Sequence, residues 1–185
     1  MTHFEKQIDT STVYEGLIVN VRMDNVELIN GKQVKREVIV HPGGVAIVPV
    51  TNDNKILMVR QYRYCVGEEI IEIPAGVLEA GEEPLNCAIR ELSEETGCTA
   101  GRLIDLGAIY PSPGINRETL YIYLALDLQA GEMHLDDDEF LSVEAIAIDE
   151  IFDMIMENKI RDAKTIVGIM KAKNILDGLN GGNNG

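Results

Sequence analysis

The sequence predicts an α/β domain in which a mixed sheet is covered by helices on both faces, preceded by a small antiparallel sheet. Three observations carry this. Strand-like segments recur from Leu17 onward, one sharply bounded helix interrupts them at Pro84–Glu95, and two helical segments follow the last strand.

Residues Leu17–Ile29 and Lys32–Val40 alternate apolar and polar side chains around Asn30-Gly31, a dipeptide suited to a two-residue hairpin turn. Val45–Val50 and Lys55–Gln61 follow, joined by the turn Thr51-Asn52-Asp53-Asn54. Glu69–Ile73 reads as a strand that delivers the chain to Pro74-Ala75-Gly76. The central helix begins at Pro84, whose missing N–H costs nothing in a first turn, and stops at Gly97. Ile104–Tyr110 and Thr119–Leu128 are strand-like on either side of PSPGINRE. A strand near Phe140–Ile148 leads into helices at about Asp149–Asn158 and Asp162–Leu179, and the tail NGGNNG is too polar to pack.

The chain has 185 residues, enough for one domain with a sizeable core and a small appendage. Hydrophobic residues at 45% and charged residues at 25% are ordinary for a soluble protein. No apolar run is long enough for a membrane span, and the segment MTHFEKQIDTS lacks the basic and apolar regions of a signal peptide. Cys65, Cys87 and Cys98 have no metal-ligand spacing and are expected to be reduced, as in a cytoplasm. A net charge of −15 argues against a nucleic-acid partner, because phosphate backbones need a basic surface. An acidic protein that takes an anionic substrate then needs bound cations and a few local arginines, and Arg36, Arg60, Arg63 and Arg117 are the candidates.

The most informative stretch is Gly76–Cys98, GVLEAGEEPLNCAIRELSEETGC. Leu85, Ala88, Ile89 and Leu92 recur at helical spacing and are expected to face the core. Glu91, Glu94 and Glu95 lie at i, i+3 and i+4 and are expected to share the opposite face within one turn. Like charges so close destabilise a helix unless something positive sits among them. Mg²⁺ or Mn²⁺ answers that need, because hard cations prefer carboxylate oxygen, and Arg90 is spaced to pair with Glu94. The competing reading of E-x-x-E-E alone is a solvated acidic face. The wider pattern outweighs it, since a glycine, Glu82, Arg90-Glu91-Leu92, Glu94-Glu95 and Gly97 at these spacings should arise by chance in fewer than roughly one in a million such chains.

That stretch resembles the Nudix box of the Nudix hydrolase family, with Cys98 its weakest apolar match. The resemblance implies a Nudix α/β/α sandwich and metal-dependent cleavage of a nucleoside diphosphate linked to another group. Glu91, Glu94 and Glu95 would be metal ligands, Glu82 a further ligand or a group behind the ligands, and the Ala75 carbonyl another ligand. With Arg90, Glu94 and Glu95 would form the catalytic centre. Outside the box, REVIVHPGGVAIVPV, VRQYRY, IEIPAG, SPGINRE, LDDDEF and DAKTIVGIMKA are similar to ADP-ribose pyrophosphatases and ADP-sugar diphosphatases, over about residues 14–178. Pro113 lies fifteen residues beyond the last box position, where such a proline marks this subfamily.

Carried over residue by residue, the resemblance makes Arg63 a phosphate contact and Arg36 another, from either subunit. Glu118 would bind the terminal ribose or help position the reaction, with Val77, Pro113 and Gly114 also against substrate. Glu139 resembles the residue proposed as general base, with Asp137 and Asp138 as neighbouring competitors. Each arginine can instead serve a surface salt bridge, and Glu139 a solvated loop. Tyr14, Tyr62 and Tyr64 are candidates for stacking on the base, although each is equally a packing residue, and His41 reads as a structural residue at a strand end. The implied organisation is a β-hairpin dimerisation segment at 1–42, a Nudix domain at 43–179 and a flexible tail at 180–185. The expected substrate is ADP-ribose, cut to AMP and ribose 5-phosphate by a homodimer with Mg²⁺ or Mn²⁺. A GDP-mannose-type or general nucleotide-sugar hydrolase and a non-catalytic nucleotide-sugar sensor are the alternatives.

Overall fold

The computed structural model describes residues 3–135 and 140–181, with the side chains of 179–181 left aside. In chain order its elements are β1 (Lys6–Glu15), β2 (Asn20–Glu27), β3 (Gln33–Val40), β4 (Gly44–Pro49), β5 (Lys55–Arg63), β6 (Glu68–Glu72), β7 (Ala75–Val77), α1 (Pro84–Thr96), β8 (Cys98–Ile109), β9 (Asn116–Arg117), β10 (Leu120–Ala130), β11 (Leu141–Ala147), α2 (Ile148–Met156) and α3 (Ala163–Gly181). They fall into two compact units, Met1–Gly43 with Tyr110–Thr119, and Gly44–Ile109 with Leu120–Gly185.

The first unit is one sheet in the order β1-β2-β3-β9. β2 and β3 form the expected hairpin, but β2 ends at Glu27 and the turn is wider than two residues. Leu28 N–H donates to the Lys32 carbonyl and Gly31 N–H to the Leu28 carbonyl, each at 2.9 Å, with Gly31 at φ 79. β1 is an addition to the expected pattern: it pairs antiparallel with β2 although every one of its residues is exposed. Cross-strand polar pairs hold it, including Thr10 Oγ1 donating to Asp24 Oδ1 at 2.5 Å and Asn25 Nδ2 to Asp9 Oδ1 at 2.6 Å. β9 sits inside the expected Ser-Pro-Gly loop and pairs parallel with β3 through Ile39–Asn116 and Val40–Arg117.

In the second unit β7-β4-β10-β8 form one sheet, with β4 and β10 parallel and the other pairs antiparallel. β11-β5-β6 form a second, antiparallel sheet. β4 is buried at every position, which explains its unbroken apolar run. Its alternate side chains serve two cores. Ala46 and Val48 join Ile122, Leu124, Ile151, Ile160 and Ile169 beneath α2 and α3, whereas Val45 and Ile47 join Cys87, Ala88, Leu92, Tyr123 and Ala125 beneath α1. Helices therefore cover both faces of this mixed sheet, as the sequence predicts. Gly168 permits the close approach of α3, because a Cβ there would come within 2.9 Å of Ile73 Cδ1 and 3.1 Å of Val48 Cγ2. No described helix is long and apolar enough to cross a membrane.

Candidate active site

The helix that carries the acidic pattern runs one residue beyond expectation, from Pro84 to Thr96, and Gly97 ends it in the left-handed region at φ 65. Its buried face differs from the expected one. Leu85 and Ile89 are exposed, while Cys87, Ala88, Glu91, Leu92 and Glu95 are buried. Two of the three glutamates expected on the face opposite the apolar stripe thus point inward, Glu91 at 8% and Glu95 at 2% exposure. Glu94, one position round the helix from Glu95, stays partly open.

What receives these carboxylates is the strand β7. Ala75 N–H donates to Glu95 Oε2 at 2.9 Å, so the residue before the box glycine is tied to the last glutamate of the helix. A Cβ on Gly76 would lie 1.8 Å from Glu91 Cδ and Oε1, so only glycine leaves space for the Glu91 carboxylate. The same strand pairs with β4 through Ala46–Ala75 and Val45–Gly76, which anchors it to the core sheet.

Arg90 is shared among three carboxylates. Its Nε and Nη2 each donate at 3.0 Å to the two oxygens of Glu82, and its Nη1 donates to Glu91 Oε1 at 2.7 Å and Glu94 Oε2 at 2.9 Å. The expected Arg90–Glu94 pair is present as one arm of this larger network. The Arg90 hydrogen bond, helped by the Glu79 N–H, holds the Glu82 carboxyl down at about 2. Hydrogen bonding to Glu82 in turn raises the Arg90 guanidinium above its ordinary value. Under Arg90, burial pushes the Cys87 thiol up to about 12.

Three carboxylates therefore meet one guanidinium, Glu95 is held by the backbone of β7, and Glu91 and Glu95 are the buried pair. Among the described residues no three His, Cys, Asp or Glu groups stand in ready metal-ligand geometry. The donor set nonetheless fits a hard divalent cation, being all carboxylate oxygen with negative charge in excess.

Arg63 is the last residue of β5, in the second unit. Its Nε donates at 2.6 Å to Oε1 of Glu72, a carboxylate 1% exposed whose other oxygen is paired with Lys164. Glu72 ends β6 in the IEIPAG segment, and no sequence signal marked it as Arg63's partner. Arg60 follows the salt-bridge reading, with Nε 2.6 Å from Glu144 Oε1 and Nη1 3.5 Å from Glu69 Oε1. Val77 is exposed at its side chain, and its carbonyl accepts from Arg90 Nη2 at 3.3 Å. Tyr62 and Tyr64 are both exposed.

Most of the remaining assigned positions belong to the first unit. Arg36 makes an exposed two-point pair with Glu5, Nε to Oε2 at 3.0 Å and Nη2 to Oε1 at 2.7 Å. Arg36, Pro113, Gly114, Arg117 and Tyr110 line one open groove of about 450 Å³. Glu118 Oε2 accepts from Asn116 Nδ2 at 2.8 Å, and its Oε1 is 3.8 Å from His41 Nδ1. His41 Nδ1 also accepts the Gly43 N–H at 3.1 Å, the structural role expected of it. Tyr14 is exposed. Glu139, with its competitors Asp137 and Asp138, lies outside the described residues.

A strand delivering a glycine against buried helical glutamates, with one arginine bracing them, is the arrangement of a Nudix box, and the family model for the NUDIX domain matches residues 40–167. The chain belongs to the NUDIX family. It is 42% identical over 167 residues to the ADP-ribose pyrophosphatase of Bacillus subtilis, covering 89% of this chain and 90% of that one. The methanol dehydrogenase activator of Bacillus methanolicus is also 42% identical, with the same coverage. A GDP-mannose pyrophosphatase of Salmonella paratyphi B is 29% identical over 150 residues, covering 75% of this chain and 78% of that one. A solved crystal structure of an ADP compounds hydrolase, 22% identical, superposes with a TM-score of 0.84 over 95% of both chains and shows the same fold.

Proposed function

We propose that this protein hydrolyses the diphosphate of ADP-ribose to AMP and ribose 5-phosphate, and of related nucleoside diphosphate sugars more slowly. The observation that carries the reading is the burial of Glu91 and Glu95 against the Ala75–Gly76 strand, at a position where a Cβ would have no room. Solvated charges need no such accommodation, whereas buried carboxylates have to be compensated. The 42% identity to an ADP-ribose pyrophosphatase over most of both chains supports the substrate class.

Glu91, Glu94, Glu95 and the Ala75 carbonyl would hold Mg²⁺, or Mn²⁺ in its place. When bound, such a cation neutralises the diphosphate, polarises its P–O bonds and lowers the pKa of attacking water. Arg90 orients the carboxylates from its seat on Glu82, and Arg63 receives the phosphates. Arg36, Glu118, Pro113 and Gly114 are assigned to the sugar and nucleotide ends. Glu139 is assigned as general base. Comparing Glu139→Gln with Asp138→Asn tests that, since the first should lose most of its turnover and the second little.

A homodimer belongs to the same reading, supported by β1, which presents a ten-residue edge with Ile8, Val13 and Tyr14 exposed. A monomeric mass at micromolar concentration would count against it. A cytoplasmic setting matches reduced cysteines and the absence of a membrane-crossing helix among the described residues.

The decisive experiment is a substrate panel of ADP-ribose, ADP-glucose, GDP-mannose, NADH and nucleoside triphosphates with Mg²⁺, with products separated by chromatography. ADP-ribose should be turned over fastest, and chelation of the metal should abolish turnover. Faster cleavage of triphosphates would overturn the substrate class, and faster cleavage of GDP-mannose would favour the alternative named by the Salmonella relative. Binding without turnover of any compound would favour the sensor.

A further inference from the structure

We propose that Lys164, at the start of α3, is a positioning residue that keeps Arg63 turned toward the substrate diphosphate. The inference rests on the phosphate-binding role given to Arg63 above. Glu72 is buried, and both of its oxygens are occupied: Oε1 accepts from Arg63 Nε at 2.6 Å and Oε2 is paired with Lys164 Nζ. An arginine facing a lone carboxylate tends to engage both oxygens through two parallel N–H donors. Lys164 on Oε2 denies Arg63 that second contact. Neither terminal nitrogen of Arg63 hydrogen-bonds to another described residue, and its side chain is 40% exposed. Two planar donors free at an exposed edge are what recognition of phosphate oxygens requires.

Lys164 is itself fixed. Its Nζ lies 3.1 Å from Asp162 Oδ1, while Asp162 Oδ2 accepts from Thr165 N at 3.0 Å and Thr165 Oγ1 at 2.6 Å. Thr165 Oγ1 accepts the N–H of Ile73 at 2.9 Å. The first turn of α3 thus grips the Glu72 side chain and the backbone of the next residue, just ahead of Ala75 and the box. Removing the ammonium exposes Oε2 to Arg63, which folds a terminal nitrogen back onto it and withdraws that donor from substrate.

The test is the affinity of Lys164→Met for α,β-methylene ADP-ribose by calorimetry, beside steady-state kinetics on ADP-ribose. Affinity should fall about tenfold and KM rise with it, while kcat stays within about twofold. Lys164→Arg should restore affinity, because its guanidinium still occupies Oε2. In an Arg63→Lys background Lys164→Met should cost much less, since the two residues act through one contact. Should Lys164→Met fail to fold, Lys164→Gln against Lys164→Arg carries the same comparison. Unchanged affinity, or an equal loss with and without Arg63, overturns the proposal. A wild-type protein that neither binds the analogue nor cleaves any nucleotide sugar removes the substrate reading and this inference together. Wild-type binding with an unaffected Lys164→Met removes this inference alone.

Discussion

Around Arg90 one guanidinium is divided among three carboxylates, whereas around Glu72 one carboxylate is divided between a guanidinium and an ammonium. The first cluster has surplus negative charge, whereas in the second Arg63 and Lys164 are balanced by Glu72 and Asp162, within a chain whose net charge is −15. The contrast teaches that overall charge says little about a site. A cluster with negative charge in excess and a balanced one that leaves the terminal donors of Arg63 open can be built in the same unit, each from side chains that need one another to stay ordered.

Removing the negative surplus should have the largest effect. Glu94→Gln with Glu95→Gln should lower kcat on ADP-ribose by about 10³-fold, roughly 4 kcal/mol of transition-state stabilisation. An unchanged metal-dependent rate would separate the cluster from catalysis altogether. Next in size is the space that admits Glu91: Gly76→Ala forces a methyl into its carboxylate and should destabilise the fold by about 1–3 kcal/mol in urea unfolding. It should also depress turnover, and a variant of wild-type stability and rate would mean that the strand shifts freely.

The acid limb of stability sharpens the comparison further. Glu82 has its carboxyl depressed to about 2 by Arg90, so its contribution is present above the unfolded-state value of about 4.5 and is lost as pH falls from there toward 2. Glu82→Gln should therefore flatten the fall in urea midpoint across that window, and an unchanged slope would show that the pair gives no pH-linked stability. The smallest effect is expected at Arg60, which is paired with Glu144 and Glu69 at the surface. Arg60→Gln should shift stability by less than about 1 kcal/mol, because exposed pairs are screened by solvent.

Much of this was readable from the chain alone, and the misses have physical causes. Pro84 and Gly97 bounded α1 to within a residue, because a missing donor and a left-handed cap act locally. Hydrophobicity assigns Leu85 and Ile89 inward and glutamates outward, whereas the site inverts the rule at Glu91 and Glu95. β1 is not legible in KQIDTSTVYE because the segment carries no alternation that a buried face would impose, and its pairing rests on polar cross-strand contacts. The Glu72–Lys164 pair joins positions 92 residues apart, which local patterns cannot report. The box glutamates and arginine were nameable in advance because their spacing on one helix is itself the signal.

The thiol of Cys87, pressed beneath Arg90 with its proton held until about pH 12, has a practical corollary. At neutral pH it presents almost no thiolate to alkylating or oxidising reagents, while Cys65 stands exposed on the loop after β5. A maleimide dye should therefore attach at Cys65 first and leave the chemistry of the acidic helix untouched, giving a fluorescent handle a short distance along the chain from Arg63.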